Sequence, residues 1–309
     1  MTSERIAIVT GANNGIGFET AAGMAKAGFH VVMACRNRAK AESARRAIVE
    51  RLPSASLDIM LVDLGDFASV HAFAQDFRAT YPHLDVLINN AGILLYSEQT
   101  NGNCIELQFA TNHLGHFLVT ALLIDLMPDD PASRIVALSS IAHKRARIHF
   151  DDLTCGGDGG TAYGQSKLAC LLFADELHRR LQDAGSKIKA LAVHPGGSDS
   201  GLFDEMRPLQ YYTLKALSPF ITHSNASAAK PSLHAALAPD IAGGDYFGPT
   251  GILELRGPVG EAKRDPITRD LEVAKRLWSL SGELTGEDFD LTRLKTSGAA
   301  ELAPLQQQT

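Results

Sequence analysis

Several things are scarce in this 309-residue chain, and each scarcity closes off a class of function. Basic residues are not in excess. Lys and Arg number 29 against 35 Asp and Glu, a formal net charge of −6, which leaves no electrostatic footprint for nucleic acid. The one local basic cluster, Lys144, Arg145 and Arg147, reads as a solvated loop. Only four cysteines occur, Cys35, Cys104, Cys155 and Cys170, far apart and without paired Cys/His spacing. That pattern argues against a zinc site and for reduced thiols, hence a cytoplasmic location. His113, His116, His143 and His194 form no HxxxH or HExxH pair, so they read as core or hydrogen-bonded histidines rather than metal ligands. No apolar run reaches the roughly 20 residues that span a bilayer. The N-terminal Arg5-Ile6-Ala7-Ile8-Val9-Thr10 is too short for a signal h-region. The expectation is a chain with no transmembrane segment, for which a peripheral membrane contact stays open.

What is present is rhythm. Short apolar runs rich in β-branched residues (Ile6–Thr10, His30–Cys35, Leu57–Val62, Val86–Asn89, Arg134–Ser139 and Ile188–His194) alternate with segments of helical period such as 15–27, 38–52 and 69–81. Near-continuous hydrophobicity suits strands covered on both faces, hence a parallel sheet between helices. Gly251–Leu255 adds a shorter seventh run, read as an edge strand. The expected fold is α/β: a single doubly wound Rossmann domain with a seven-stranded, mainly parallel sheet and helices on both faces. It is assigned to residues 1–282, with 196–224 as a substrate lid and 283–309 as a partly disordered tail.

The first run leads into Thr10-Gly11-Ala12-Asn13-Asn14-Gly15-Ile16-Gly17 and then a helix. Without Cβ atoms, Gly11 and Gly15 let the backbone approach a pyrophosphate, and Gly17 lets the helix pack closely on the strand. A glycine-rich turn without a ligand is the other reading. The second run ends in Ala34-Cys35-Arg36, where an NAD site wants an acidic side chain for the ribose 2′-hydroxyl. Here stand Arg36, Arg38 and Lys40 instead, and Arg36 can bond a 2′-phosphate, which favours NADP(H); a solvated helix-start arginine is the alternative.

Tyr163 and Lys167 lie four residues apart, on one face of a helix. A phenol with an ordinary pKa near 10 is a poor proton donor and acceptor at neutral pH, and a nearby ammonium favours phenolate. An exposed surface pair would look the same in sequence.

Thr10–Gly17, Asp63-Leu64, Asn89-Asn90-Ala91-Gly92, Asn112, Ser139-Ser140, Tyr163 with Lys167, and Pro195-Gly196 occur in this order from Arg5 to about Gly282. In this the chain resembles the short-chain dehydrogenase/reductase family. The resemblance implies that Ser140 bonds the substrate oxygen and that Tyr163 exchanges a proton with it. It implies that Lys167 lowers the phenol's pKa and binds the nicotinamide ribose, while Asn112 holds a water linking Lys167 to solvent. Gly11, Asn13, Asn14, Gly15, Ile16, Gly17, Arg36, Asp63 and Leu64 would hold the pyrophosphate and adenosine side. Asn90, Ala91, Gly92, Pro195, Gly196 and Ser200 would flank the nicotinamide side. Taken singly, the serines could merely end a strand and Asn112 could be a cap or a surface amide. A homodimer built on the helices around Asn112 and Tyr163 is a further expectation of the family.

Ala34-Cys35-Arg36, Asn112-His113-Leu114-Gly115-His116-Phe117, His194-Pro195-Gly196 and Phe150-Asp151-Asp152-Leu153 are similar to the retinol dehydrogenase-like branch. Light-dependent protochlorophyllide reductases share part of this signature, including Leu277-Trp278-Ser279-Leu280-Ser281, and a photoreductase is the rival reading. Against it, the chain keeps Ser140 and lacks a long insertion before Tyr163. Apolar residues within 196–224 (Leu202, Phe203, Met206, Leu209, Tyr211, Tyr212, Leu214, Leu217, Phe220 and Ile221), with Ile93, Leu94, Leu95 and Tyr96, suit a lipophilic carbonyl or alcohol substrate, although they would also suit a core. A non-catalytic NADPH-sensing regulator is a second alternative; members with that role usually lose the tyrosine or the lysine, and both are here.

Overall fold

Continuous burial of β1 (Ile6–Thr10) on both faces places it at the centre of the sheet. Its side chains alternate between two cores. Ile6 and Ile8 join one hydrophobic cluster, and Ala7 and Val9 join the other on the opposite face. The structure is a computed structural model that describes residues 4–197 and 223–291.

After β1 come α1 (Gly15–Lys26), β2 (His30–Cys35), α2 (Arg38–Arg51), β3 (Ser56–Leu61), α3 (Phe67–Thr80) and β4 (Val86–Asn89). Short polar side chains set the helix starts: Asn14, Asn37 and Asp66 each accept a first-turn N–H of the helix that follows. Next are α4 (Leu107–Phe109), a π-helical turn (Ala110–Leu114), α5 (Gly115–Leu123), β5 (Arg134–Leu138), α6 (Gly159–Asp183) and β6 (Lys189–Val193). Then follow α7 (Asn225–Ala228), α8 (Lys230–Leu237), β7 (Tyr246–Pro249), β8 (Val259–Glu261) and α9 (Leu271–Thr285).

Strand order is β3-β2-β1-β4-β5-β6-β7-β8, parallel throughout except for β8. The order reverses between β1 and β4, so a crevice opens at the carboxyl ends of those two strands. Helices α3, α5, α6 and α9 cover one face, and α1, α2 and α8 the other.

Among the described residues the sheet thus has eight strands rather than the expected seven. Gly251–Leu255 is not an edge strand: Ile252–Glu254 form a 3₁₀ turn, with Leu253 and Glu254 in the left-handed region at φ 53° and 57°. The true seventh strand, Tyr-Phe-Gly-Pro, reads poorly as a strand because it contains Gly248 and Pro249. Tertiary packing demands that glycine, since a Cβ at Gly248 would stand 2.0 Å from His194 Nε2. Gly248→Ala is therefore expected to overpack the β6–β7 contact and to cost about 2 kcal/mol, which urea unfolding monitored by circular dichroism would measure.

Helix α9 runs past residue 282 to Thr285 and ends on Gly286 in the left-handed conformation. Phe289 beyond it packs on Phe117 and Trp278, with ring centres 5.0 and 4.6 Å apart. The ordered fold therefore extends further than the boundary drawn from the sequence. The helical stretch Leu107–Leu126 meets the length and composition of a membrane span, contrary to expectation, with a mean hydropathy of 1.2. It is 78 % buried inside the fold and serves as its core.

Candidate active site

The crevice is a cleft of about 580 Å³ onto which the segments after β1 to β6 converge. Gly11, Asn13, Asn14, Gly15, Ile16 and Gly17 line it from the β1–α1 turn. Gly11 and Gly15 have φ of +67° and +56°, values a side chain would resist. A Cβ on Gly17 would lie 2.3 Å from Gly11 O and 2.5 Å from Asn90 Nδ2. The turn is thus closed tightly beneath the first turn of α1, and a helix N-terminus at a cleft wall suits an anion. This cradle fits the pyrophosphate of a dinucleotide.

At the end of β2, Arg36 lies on the cleft wall with Asn37 and Lys40. Arg36 is 71 % exposed, and its Nη1 is 3.8 Å from Asp63 Oδ2, a loose pair that leaves the guanidinium free to turn. Asn37 Oδ1 caps α2 by accepting from Lys40 N at 3.0 Å, so helix start and lysine lie together beside Arg36. Asp63 Oδ1 accepts from Gly65 N at 3.0 Å, which fixes its carboxylate at the β3 edge next to Leu64.

From β4, Asn90, Ala91 and Gly92 line the middle of the cleft. Asn90 Nδ2 donates to Thr10 O at 2.7 Å, while Asn90 N and Ala91 N both donate to Thr10 Oγ1 at 2.9 Å. The Thr10 hydroxyl therefore holds this loop against the glycine turn.

Ser140, Tyr163 and Lys167 meet at the far end. Ser139 is buried and donates to Lys167 O at 2.7 Å, tying β5 to α6, while half-buried Ser140 faces the cleft and hydrogen-bonds the Tyr163 phenol. Lys167 Nζ donates to Leu138 O at 3.0 Å and stands 5.9 Å from the Tyr163 ring centre. A Cβ on Gly92 would be 3.0 Å from that ammonium, so the glycine leaves it room. Burial pushes the Tyr163 phenol well above its ordinary value, and the Ser140 bond pulls it back only partly. Burial also lowers Lys167. In this geometry burial is the largest influence on the phenol. Burial thus favours the protonated phenol.

Among the expected catalytic and cofactor residues within the described part, Asn112 alone does not line the cleft, and of the apolar residues expected beside the substrate Ile93 and Leu94 line it while Leu95 and Tyr96 do not. The Asn112 Oδ1 accepts from Ile93 N at 2.8 Å, and its Nδ2 donates to Ile93 O at 3.0 Å and Ser166 Oγ at 2.9 Å. It thus clamps the segment after Gly92 to α6. Pro195 and Gly196 close the cleft from β6. Ser200 and the apolar lid residues from Leu202 to Ile221 lie outside the described residues. The sequence reading missed Leu255, which reaches the cleft because Gly197 N donates to Leu255 O at 2.8 Å. No local signal marks that contact. It also missed Thr10 as a working residue, although its place at the end of β1, ahead of Gly11, was a usable signal.

The four histidines are buried and hydrogen-bonded in the walls, and among the described residues no group of His, Cys, Asp or Glu could hold a metal. Burial lowers His113 to about 3 and His116 and His194 to about 4. Below its ordinary pKa of 6.5 an unfolded histidine takes a proton that these native ones refuse. Their contribution is therefore complete above pH 6.5 and is lost as pH falls from there toward 4. Asp175, raised by burial to about 6, works the other way, one group against three. Stability is thus expected to fall by several kcal/mol between pH 7 and pH 5, before most carboxylates titrate. Urea midpoints that stay flat over that range would contradict it.

The chain matches the short chain dehydrogenase family over residues 5–210. It is 39% identical to mouse retinol dehydrogenase 12 over 301 residues, covering 93% of this chain and 88% of that protein. It is 37% identical over 290 residues to the chloroplastic short-chain dehydrogenase TIC 32 B of Brassica napus, covering 90% and 88%. A solved structure of an uncharacterized protein from Mycobacterium paratuberculosis superposes with a TM-score of 0.76 at 36% identity, covering 92% of this chain and 94% of that one. Fold, cleft and these matches together define a nicotinamide-dependent oxidoreductase acting on alcohols or carbonyls. The chain belongs to the short-chain dehydrogenase family, within its retinol dehydrogenase-like branch.

Proposed function

We propose that the chain is an NADP(H)-dependent reductase and dehydrogenase of lipophilic carbonyls and alcohols. The observation that carries the reading is the pairing, in one cleft, of the cationic Arg36–Lys40 corner with the Ser140–Tyr163–Lys167 cluster. A bound nicotinamide supplies or accepts the hydride. Gly11–Gly17 hold the pyrophosphate, and Arg36 and Lys40 neutralise the 2′-phosphate. Ser140 orients the substrate oxygen by a hydrogen bond. Tyr163 delivers its proton to that oxygen during reduction and recovers one during oxidation. Lys167, held by Leu138 O, fixes charge beside the phenol and the ribose.

Support for an apolar substrate comes from Ile93, Leu94, Ile141 and Leu255, which line the reactive end. Four free thiols, two of them buried, fit a reducing compartment such as the cytoplasm. The test is consumption of NADPH with a panel of aliphatic, terpenoid and retinoid aldehydes and ketones, set beside small sugars, in darkness and under illumination. Apolar aldehydes are expected to give a kcat/KM roughly 100-fold or more above sugars, from two or three additional buried methylene groups at about 0.8 kcal/mol each plus shape. Faster turnover of sugars overturns the substrate class. Strict dependence on light would establish the photoreductase, and NADPH binding without any turnover the regulator.

A further inference from the structure

We propose that His116 is a positioning residue that couples the nucleotide half of the cleft to the catalytic half, a role resting on the NADP(H) reading above. His116 lies on α5 and is buried. Its Nδ1 is 2.9 Å from Asn112 O, and its Nε2 is 2.9 Å from Thr10 Oγ1. Among the described residues no other side chain is hydrogen-bonded to both.

The partners determine where the proton lies. A carbonyl oxygen only accepts, so Nδ1 carries the hydrogen, and Nε2 must accept from the Thr10 hydroxyl. That hydroxyl has one hydrogen, for which His116 Nε2 at 2.9 Å is a nearer acceptor than Ile88 O at 3.4 Å, while its oxygen accepts Asn90 N and Ala91 N at 2.9 Å. The neutral ring is a strut with a defined direction. One end holds the hydroxyl that gathers β1 and the Asn90–Gly92 loop. The other end holds the carbonyl of Asn112, which also accepts from Cys170 Sγ at 3.0 Å. Asn112 in turn clamps Ile93 and Ser166, three residues after Tyr163 and one before Lys167.

The surrounding backbone explains why a side chain is needed here. Ala110–Leu114 is a π-helical turn, with Gly115 N donating to Ala110 O, and within it the Asn112 carbonyl meets two side chains, His116 and Cys170. Helix α5 is fixed at the same level, since Thr120 Oγ1 donates to His116 O at 2.7 Å and accepts from Asn89 Nδ2 at 3.1 Å. Burial first and then the Lys167 ammonium disfavour imidazolium there, with His113 the other titratable ring that interacts with it. The strut therefore keeps its direction across the working pH range.

Two isosteres separate its ends. Asparagine places an amide N–H near Nδ1, and glutamine places a carbonyl oxygen near Nε2. His116→Asn keeps the hold on Asn112 and releases Thr10. His116→Gln does the reverse, and His116→Phe releases both. With the full chain, NADPH affinity is read from nucleotide fluorescence, and kcat is read with nonanal. His116→Asn is expected to weaken NADPH roughly tenfold with kcat nearly kept, and His116→Gln to lower kcat roughly tenfold with affinity nearly kept, as one buried hydrogen bond is lost in each. His116→Phe should show both losses. Equal losses of affinity and kcat in all three, tracking their melting temperatures, would reduce His116 to ordinary packing. Imidazole ¹⁵N spectra of the wild type decide the strut without reference to activity. The ring absent from the His116→Gln spectrum should be the neutral Nδ1–H form and should not titrate between pH 5.5 and 8. A ring that titrates there, or carries its proton on Nε2, overturns the proposal. Wild type that binds no NADPH would remove the proposed function and leave the strut to these spectra.

Discussion

Tyr163→Phe is expected to lower kcat roughly 1,000-fold while changing NADPH affinity by less than about twofold, the range expected for loss of a positioned acid. The phenol is the acidic group hydrogen-bonded to Ser140 at the reactive end of the cleft, and burial favours its protonated form. Phenylalanine fills the same space on α6, so the walls that hold the nucleotide do not move. The loss therefore belongs to proton delivery and appears in kcat, not in binding. Stopped-flow consumption of NADPH with the best aldehyde of the panel gives the first quantity, and equilibrium fluorescence titration gives the second. Retained turnover would remove Tyr163 from the chemistry.

Arg36→Ala is expected to weaken NADPH roughly 100-fold and NADH by less than about threefold, the worth of one or two charge-assisted bonds to the 2′-phosphate. Asp63 sharpens this effect. Its carboxylate lies 3.8 Å from the guanidinium, and without Arg36 it would face the phosphate uncompensated. Arg36→Asp should go further and favour NADH, because a carboxylate at the end of β2 can accept from a bare 2′-hydroxyl. Parallel losses for both nucleotides would show that Arg36 does not read the phosphate. Lys40 would then be the next candidate, since it lines the same corner.

The residues that carry these predictions were legible because they lie in local patterns. Gly11, Gly15 and Gly17 are spaced for a strand–turn–helix junction, Arg36 ends an apolar run, and Tyr163 and Lys167 are one helical turn apart. The edge of the sheet was not legible in this way. Gly248 and Pro249 disguise β7, while Gly251–Leu255 imitates a strand, and only the His194 ring pressed against Gly248 explains the first disguise. The C-terminal segment after 282 reads as polar and frayed. Its described part is held by Phe289, which packs on Phe117 of α5 and Trp278 of α9. His116 was read as a hydrogen-bonded core histidine, as the structure has it, but which loops it joins could not be deduced from its neighbours in sequence.

The division has a physical cause. By itself the sequence determined what depends on period and type: the alternation of strands and helices, the glycine turn, and the chemical kinds of the reacting groups. These follow from interactions within a few residues and from solvent's preference for polar faces. Tertiary structure decided what depends on distance between remote segments. It set the pairing of Thr10 with Asn112 through one imidazole, the placing of Leu255 at the cleft, and the elevation of the Tyr163 phenol by burial. Burial and hydrogen-bond partners are properties of the packed chain, and no window of sequence contains them.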